Sequence, residues 1–159
     1  MIDLRKTTFI IPVYLESQDR VANFKTVIPY LTKHLDTNII ILEWGTKPMA
    51  PSLIEQMPSC NSNIQYSFLK QQNNSDIFHR TRFLNIMLFQ VKTPVTVNYD
   101  IDILLEPGIY KESEKLILSG QDLVYPYFWG SSQYRVKYDG RNKISQVLSL
   151  DCLCNWDIQ

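Results

Sequence analysis

"TTFIIPVY", residues 7–14, is a short run of apolar and β-branched residues. It lacks the alternation of polar and apolar positions that marks a strand with one exposed face. Runs of this kind are typical of parallel strands that are covered on both faces. Residues 7–14 therefore predict the first strand of a sheet with helices packed on either side.

The sequence after this strand alternates between helical and strand patterns. Ser17 is a candidate N-cap, and apolar residues then recur every three or four positions, which predicts an amphipathic helix. The apolar residues of that helix are Val21, Phe24, Ile28, Leu31 and Leu35. "NIIILEWG", residues 38–45, predicts a second buried strand, and "IQYSFLKQ", residues 64–71, predicts a weaker third. At most a short helix, at residues 52–57, is expected between them.

The second half of the chain continues the alternation. A helix is predicted over residues 76–91, with Ser75 or Asp76 as its cap, and it leads into a strand within "PVTVNYDIDILLEP", residues 94–107. We expect that strand to be central in the sheet. A helix that stops at Gly120 and a further strand at residues 122–129 complete the predicted order.

This order of elements predicts an α/β fold, a three-layer sandwich with a mainly parallel central sheet and helices on both faces, resembling a Rossmann fold. The chain has 159 residues, enough for one good hydrophobic core. We therefore predict one domain over residues 1–159.

The composition limits the kinds of binding partner and the cellular locations that are expected for the protein. The 16 basic and 16 acidic residues cancel, so no overall field attracts nucleic acid or an anionic membrane. No apolar run approaches the roughly 20 residues of a membrane span. Cys60, Cys152 and Cys154 do not complete a zinc site and are expected to be reduced, structural thiols. These features together predict a cytoplasmic protein.

Carboxylates stand at the ends of three predicted strands: Glu16, Glu43 and Asp100. In open α/β sheets, ligands bind in the crevice outside the carboxyl ends of the strands. The sequence therefore predicts a binding site on this rim of the sheet.

Asp100 and Asp102 are separated by one residue, so both point to the same side if the strand continues through them. At about 7 Å along a strand, two such carboxylates can share a divalent cation. Mg²⁺ and Mn²⁺ prefer oxygen ligands and usually complete their shell with water and substrate phosphates. A nucleotide diphosphate with its cation is thus the predicted ligand. The alternative is that the pair only caps a strand or turn.

Together, these segments resemble the donor-binding half of the GT-A glycosyltransferases. "TTFIIPVY", "NIIILEWG", "HRTRFLNIML" and "VTVNYDIDILLEP" follow one another in the order of that family. The likeness covers about residues 7–130 and is nearest to the branch of the β-1,4-galactosyltransferases and related family 2-like enzymes. In that branch an R-x-x-x-L-N helix precedes an aspartate motif.

The resemblance implies specific roles, each of which is a prediction for this chain. It implies that Asp100 and Asp102 hold Mn²⁺ or Mg²⁺ bridging the diphosphate of a nucleotide sugar, here UDP-linked. It implies that Glu43 contacts the base or the ribose. The nucleoside pocket and the diphosphate would be lined by Pro12, Val13, Tyr14, Arg80 or Arg82, and Asn85.

Several of these residues have an equally simple structural interpretation. Tyr14 is equally consistent with an ordinary half-buried aromatic residue. Arg82 and Asn85 share a helical face with Phe78 and Phe89, so they could instead lie in a solvated or core-edge pairing.

The region after the likeness departs from the family pattern. Residues 131–159 contain neither a Gly-Gly turn nor a W-G-x-E-D motif, and the carboxylates left there are Asp139, Asp151 and Asp157. The resemblance implies a metal-dependent glycosyltransferase acting on a hydroxyl acceptor such as a glycan, and this departure implies that it is either a fragment or a minimal enzyme. The choice between retention and inversion stays open.

Three alternatives to this enzyme are consistent with the same sequence features. The first is a catalytically incomplete module that binds or responds to sugar nucleotides. The second is a nucleotidyltransferase, although the glycine-rich loop that such enzymes usually carry after strand one is missing from "PVYLESQDR", residues 12–20. The third is a plain structural domain. Completion of the site by a second chain would make a homo-oligomer plausible.

Overall fold

The computed structural model of the protein describes residues 1–57, 62–73 and 76–126. The strands in these ranges are β1 (Ile2–Val13), β2 (Leu35–Gly45), β3 (Asn63–Lys70) and β4 (Val95–Asn98). The helices are α1 (Gln18–His34), α2 (Ala50–Glu55), α3 (Arg80–Leu88) and α4 (Pro107–Leu118). In the described part of the chain, no helix combines the length and apolar character needed to cross a membrane. The predictions for the three cysteines and for residues 127–159 lie outside these ranges.

The four strands form one sheet in the order β3-β2-β1-β4, and every neighbouring pair is parallel. This confirms the predicted α/β class with a parallel central sheet. The expected central position of the strand that precedes Asp100 is wrong for the described residues, because β4 pairs only with β1 and forms an edge there. β4 is also short, four residues, so it adds little buried surface to the sheet.

Helices cover both faces of the sheet, and alternation along the strands decides which residues each face receives. In β1, Phe9 and Ile11 pack with the buried residues of α1, α2 and α4, whereas Ile10 points to the opposite face. On that opposite face, Phe83 and Met87 of α3 complete a smaller apolar cluster. The sheet is therefore the middle layer of three, as predicted.

β1 begins five residues before its predicted start, because an irregularity joins two stretches of pairing with β2. The register shifts between Leu4 and Thr8, so residues 5–7 have no partner residue in β2. Thr37 Oγ1 donates to the carbonyl groups of Leu4 and Thr7, and Asn38 Nδ2 donates to those of Arg5 and Thr7. Two polar side chains of β2 thus satisfy the irregular stretch of β1.

The predicted helix starts agree with the structure in one case and differ in another. Ser17 is the N-cap of α1, since its hydroxyl accepts a hydrogen bond from the Arg20 amide at 3.3 Å, which confirms that prediction. α3 begins at Arg80 and not near residue 76. Asp76 instead accepts bonds from the amides of Gln72 and Asn73 and closes a turn before the helix.

The last predicted strand does not form within the described residues. Residues 122–126 have no strand structure, and residues 127–129 lie outside the described ranges. Gly120 ends the preceding helix as predicted, with a φ of 107° in the left-handed region that favours glycine.

His34, the last residue of α1, lies in an environment that disfavours the protonated form of its imidazole. Its Nε2 atom is buried and has no hydrogen-bond partner among the described residues. Burial lowers the pKa of the imidazole, and the charges of Lys33 and the N-terminal amine lower it further. The folded state therefore binds this proton less readily than the unfolded chain, where the pKa is about 6.5.

We expect His34→Gln to reduce the acid sensitivity of the protein. Because the folded-state pKa is the lower one, His34 costs nothing above about pH 6.5 and destabilises the fold as the pH falls through the two pKa values. The drop in Tm between about pH 7.5 and about pH 5.5 should thus be smaller in the variant than in the wild type. Identical drops in the two proteins would contradict this expectation.

Candidate functional site

The strand order creates a switch point between β1 and β4. The chain passes from β1 outward through β2 to β3, and then returns to place β4 on the other side of β1. In open parallel sheets, ligands bind at such a point, outside the carboxyl ends of the strands. The carboxyl end of β4 lies beside β1 here, where the Tyr99 amide donates to the Ile10 carbonyl at 3.1 Å.

The aspartate loop, residues 99–106, joins β4 to α4 at this switch point. β4 ends at Asn98, and Ile101 and Asp102 form a turn, so the strand alternation expected for Asp100 and Asp102 does not apply. The expected continuation of the strand through Asp100 and Asp102 is wrong, because β4 ends at Asn98, whereas Ile101 does pack against the larger core cluster. Asp100 is half-buried and Asp102 is exposed.

Three tyrosine hydroxyls hold the aspartate loop in place. Tyr99 donates to the Ile103 carbonyl at 2.7 Å, and its hydroxyl also lies 2.6 Å from that of Tyr110. Tyr110 accepts from the Leu105 amide at 3.1 Å, and Tyr30 of α1 donates to the Leu105 carbonyl at 2.8 Å. Burial raises the pKa of all three, to about 12 for Tyr30, so the hydroxyls stay protonated at neutral pH. The loop is therefore fixed by a tyrosine of α1, a tyrosine of α4 and its own first residue, Tyr99.

Arg80, the first residue of α3, binds the end of β4. Its Nε and Nη2 atoms both donate to Asp100 Oδ1, at 3.0 and 2.8 Å, and Nη2 also donates to Asn98 Oδ1 at 2.8 Å. The side chains of Arg80 and Asp100 are 41% and 44% exposed, so solvent reaches the pair. The resemblance implied that Arg80 or Arg82 lies near a diphosphate, and the pairing of Arg80 with Asp100 was not predicted. The signal available was the spacing of Asn98 and Asp100, which puts both on one side of an extended chain.

Glu43 is buried, at 1% exposure, and its carboxylate is fully engaged inside the protein. It accepts hydrogen bonds from the amides of Met49 and Ala50 at the start of α2, at 2.9 to 3.1 Å. Tyr66 of β3 donates to the same carboxylate at 2.7 Å. These bonds give Glu43 a structural role, while its predicted contact with a base or ribose stays a prediction.

The end of β1 contributes an aromatic surface. The ring of Tyr14 lies over that of Phe78, with centroids 6.1 Å apart and planes 16° apart, and it meets the edge of Trp44 at 4.7 Å. Tyr14 is half-buried, whereas Pro12 and Val13 are buried. Tyr14 is therefore the member of this predicted group that a ligand can reach most directly.

An open depression of about 420 Å³ lies at the start of α3, lined by residues 78–82. Arg82 is one of these lining residues and is exposed, as is Asn85 one turn further along the helix. Phe89, on the face predicted to include both, is 92% exposed, so this side of α3 faces solvent. The solvated interpretation of Arg82 and Asn85 thus fits their placement, and a ligand contact stays a prediction for both.

The three carboxylates that the sequence placed on one rim each have a separate environment. Glu16 pairs with Arg20 at 3.4 Å, Glu43 is enclosed, and Asp100 pairs with Arg80. In residues 1–57, 62–73 and 76–126 there is no group of three His, Cys, Asp or Glu side chains arranged to hold a metal ion. Mg²⁺ and Mn²⁺ sites often use only one or two carboxylates and take their other ligands from water and phosphate. By donor chemistry Asp100 and Asp102 fit such a cation, with Arg80 competing for Asp100.

Compared with known proteins, the chain matches no family model and no curated protein sequence.

Proposed function

We propose that this protein binds a nucleotide-diphosphate sugar together with Mn²⁺ or Mg²⁺ and transfers the sugar to an acceptor hydroxyl, as a metal-dependent glycosyltransferase. One observation carries the proposal: the aspartate loop, with Asp100 and Asp102, lies at the switch point of a parallel sheet beside the guanidinium of Arg80. Switch points are where such sheets bind nucleotides. Carboxylates beside a guanidinium are also the side chains that a cation and a diphosphate need.

In this proposal each group has a defined task. Asp102 and Asp100 would hold the cation, which would supply positive charge to stabilise the leaving diphosphate. The tyrosines fix the loop that carries both aspartates, so little reorganisation is needed when the ligand arrives. Tyr14 offers an aromatic face to the nucleoside, and Arg82 lies within reach of an anion in the depression at α3.

A second candidate is a module that binds the sugar nucleotide without catalysing transfer. The observation that favours it is the pairing of the rim carboxylates: Glu16, Glu43 and Asp100 are all engaged within the chain. A general base must reach the proton that it removes. Asp139, Asp151 and Asp157 lie outside the described residues, so the base of an inverting reaction is not assigned to any of them.

Calorimetry with UDP tests the binding step. We expect Mn²⁺ to raise the affinity for UDP by about tenfold or more over chelator-treated protein, a gain of at least about 1.4 kcal/mol. Asp102→Asn should remove this dependence and leave Tm unchanged or slightly higher in chelator, because Asp102 is exposed and lies two residues from Asp100 in the same loop. Glu112→Gln, an exposed residue of α4, is the matched control and should retain the wild-type affinity.

Equal affinity for UDP in Mn²⁺ and in chelator would show that the cation has no part in binding. An Asp102→Asn variant that is strongly destabilised would instead support the capping interpretation of the aspartate pair.

Release of nucleotide diphosphate from a panel of UDP-sugars and glycan acceptors separates the two candidate functions. Turnover near about 1 per second supports the enzyme, whereas tight binding with no turnover supports the module. Light scattering during the same assay tests the predicted homo-oligomer, and cellular fractionation tests the predicted cytoplasmic location.

A further inference from the structure

The pairing of Arg80 with Asp100 places a positive charge at the position where the proposed cation would bind. Two nitrogen atoms of one guanidinium donate to a single oxygen of Asp100, and one of them also donates to Asn98. A planar guanidinium held by three such bonds is more ordered than a side chain in a simple surface ion pair. A divalent ion approaching Asp100 alone must therefore displace these bonds or share the carboxylate with a like charge.

We propose that Arg80 couples the two parts of the ligand, so that the site binds the complex of a divalent cation with a diphosphate and largely excludes the free cation. This inference rests on the proposed function, because it concerns the same site. The diphosphate provides the acceptors that release Arg80: the guanidinium leaves Asp100 Oδ1 for phosphate oxygens, and the carboxylate becomes available to the cation.

The charges at the site support this coupling. Asp100, Asp102 and Arg80 sum to about one negative charge, which is too little to hold a bare divalent ion well in competition with its hydration. Adding a diphosphate restores the balance, since its negative charge is attracted by both Arg80 and the cation. By thermodynamic linkage, a diphosphate that strengthens cation binding is itself strengthened by the cation to the same degree.

The position of Arg80 on α3 makes such a transfer short. Arg80 both pairs with Asp100 and lines the open depression at the start of α3, so the same side chain borders both environments. Solvent access to the pair lets the exchange occur without opening the core. A purely structural interpretation predicts something different: Arg80 would tie α3 to β4, and its removal would lower stability without changing how the cation and the nucleotide depend on each other.

The test is a binding cycle on Arg80→Gln by isothermal titration calorimetry. Mn²⁺ is titrated alone and in the presence of UDP, and UDP is titrated with and without Mn²⁺. We expect Arg80→Gln to bind Mn²⁺ alone several-fold more tightly than the wild type and to bind UDP with Mn²⁺ more weakly. The coupling factor between the two ligands should fall by about tenfold, within the usual range of such couplings. Arg5→Gln, which removes an exposed guanidinium near the amino end of β1 and away from the carboxyl ends of the strands, is the control and should keep the wild-type coupling.

Each outcome decides a different question. If the wild type fails to bind UDP with Mn²⁺, the proposed function fails. If the wild type binds UDP with Mn²⁺ but Arg80→Gln leaves both the affinity for Mn²⁺ alone and the coupling factor unchanged, this inference alone is overturned. Circular dichroism checks that Arg80→Gln folds. Should it not fold, Arg80→Lys serves instead: it keeps the charge but loses the fork of donors, so it should still exclude Mn²⁺ alone and show a reduced coupling factor. An unchanged coupling factor in that variant would also overturn the inference.

Discussion

Replacing Glu43 by alanine is expected to lower the free energy of unfolding by about 3 kcal/mol, because three donors lose their acceptor at once. The amides of Met49 and Ala50 and the hydroxyl of Tyr66 all donate to this carboxylate. Each buried donor left without a partner costs about 1 kcal/mol or more. Denaturant unfolding followed by circular dichroism measures the loss.

Two matched variants separate the contributions at Glu43. Tyr66→Phe removes one of the three bonds and should cost about 1 kcal/mol. Glu43→Gln keeps one acceptor oxygen and should fall between this value and that of Glu43→Ala. A Glu43→Ala protein as stable as the wild type would mean that water replaces the carboxylate, and it would make the predicted ligand contact of Glu43 more plausible.

Replacing Phe9 by alanine is expected to destabilise the fold by about 3 to 5 kcal/mol, the usual cost of removing a buried phenylalanine. Phe9 is fully buried in β1, and the edge-to-face contacts of its ring are with Tyr99 at 5.4 Å and Tyr110 at 5.7 Å. Those two tyrosines hold the aspartate loop. We therefore expect the variant to lose UDP affinity as well as stability, both of which can be measured at a temperature where it is still folded.

Phe9→Leu is the control for this expectation. Leucine fills most of the space, so the loss of stability should stay within about 1.5 kcal/mol, and the loop should keep its hydrogen bonds. If Phe9→Ala weakened the fold but left UDP binding intact in the folded fraction, the aspartate loop would not depend on the core beneath it.

Local sequence pattern was sufficient for much of the first half of the fold. The apolar run of β1, the Ser17 cap and the helical spacing of α1 from Val21 to Leu31 depend on neighbours within a few residues and were predicted, whereas Leu35, expected in the helix, begins β2. The start of α3 was not, because Asp76 has the chemistry of a cap and uses it to close a turn instead. Both uses satisfy backbone amides, and local sequence cannot distinguish them.

The candidate site was predicted only in outline. The sequence predicted that Asp100 and Asp102 follow a strand. It did not predict that this strand ends at Asn98 or that it lies at the edge of the described sheet. The hydrogen-bond partners of Glu43 and Asp100 could not be predicted from the sequence either. Tyr66 lies 23 residues from Glu43 and Arg80 lies 20 residues from Asp100, so neither pairing leaves a local pattern.

The sequence by itself determined the class of the fold, since alternating helical and buried-strand periodicities favour helices on both faces of a parallel sheet. It also determined which residue types stand at the strand ends. Only the tertiary structure decided what those residues touch, because burial and long-range hydrogen bonds depend on strand order. The strand order buries Glu43, where its carboxylate accepts hydrogen bonds inside the protein. It leaves Asp102 exposed and pairs Asp100 with Arg80 at the switch point.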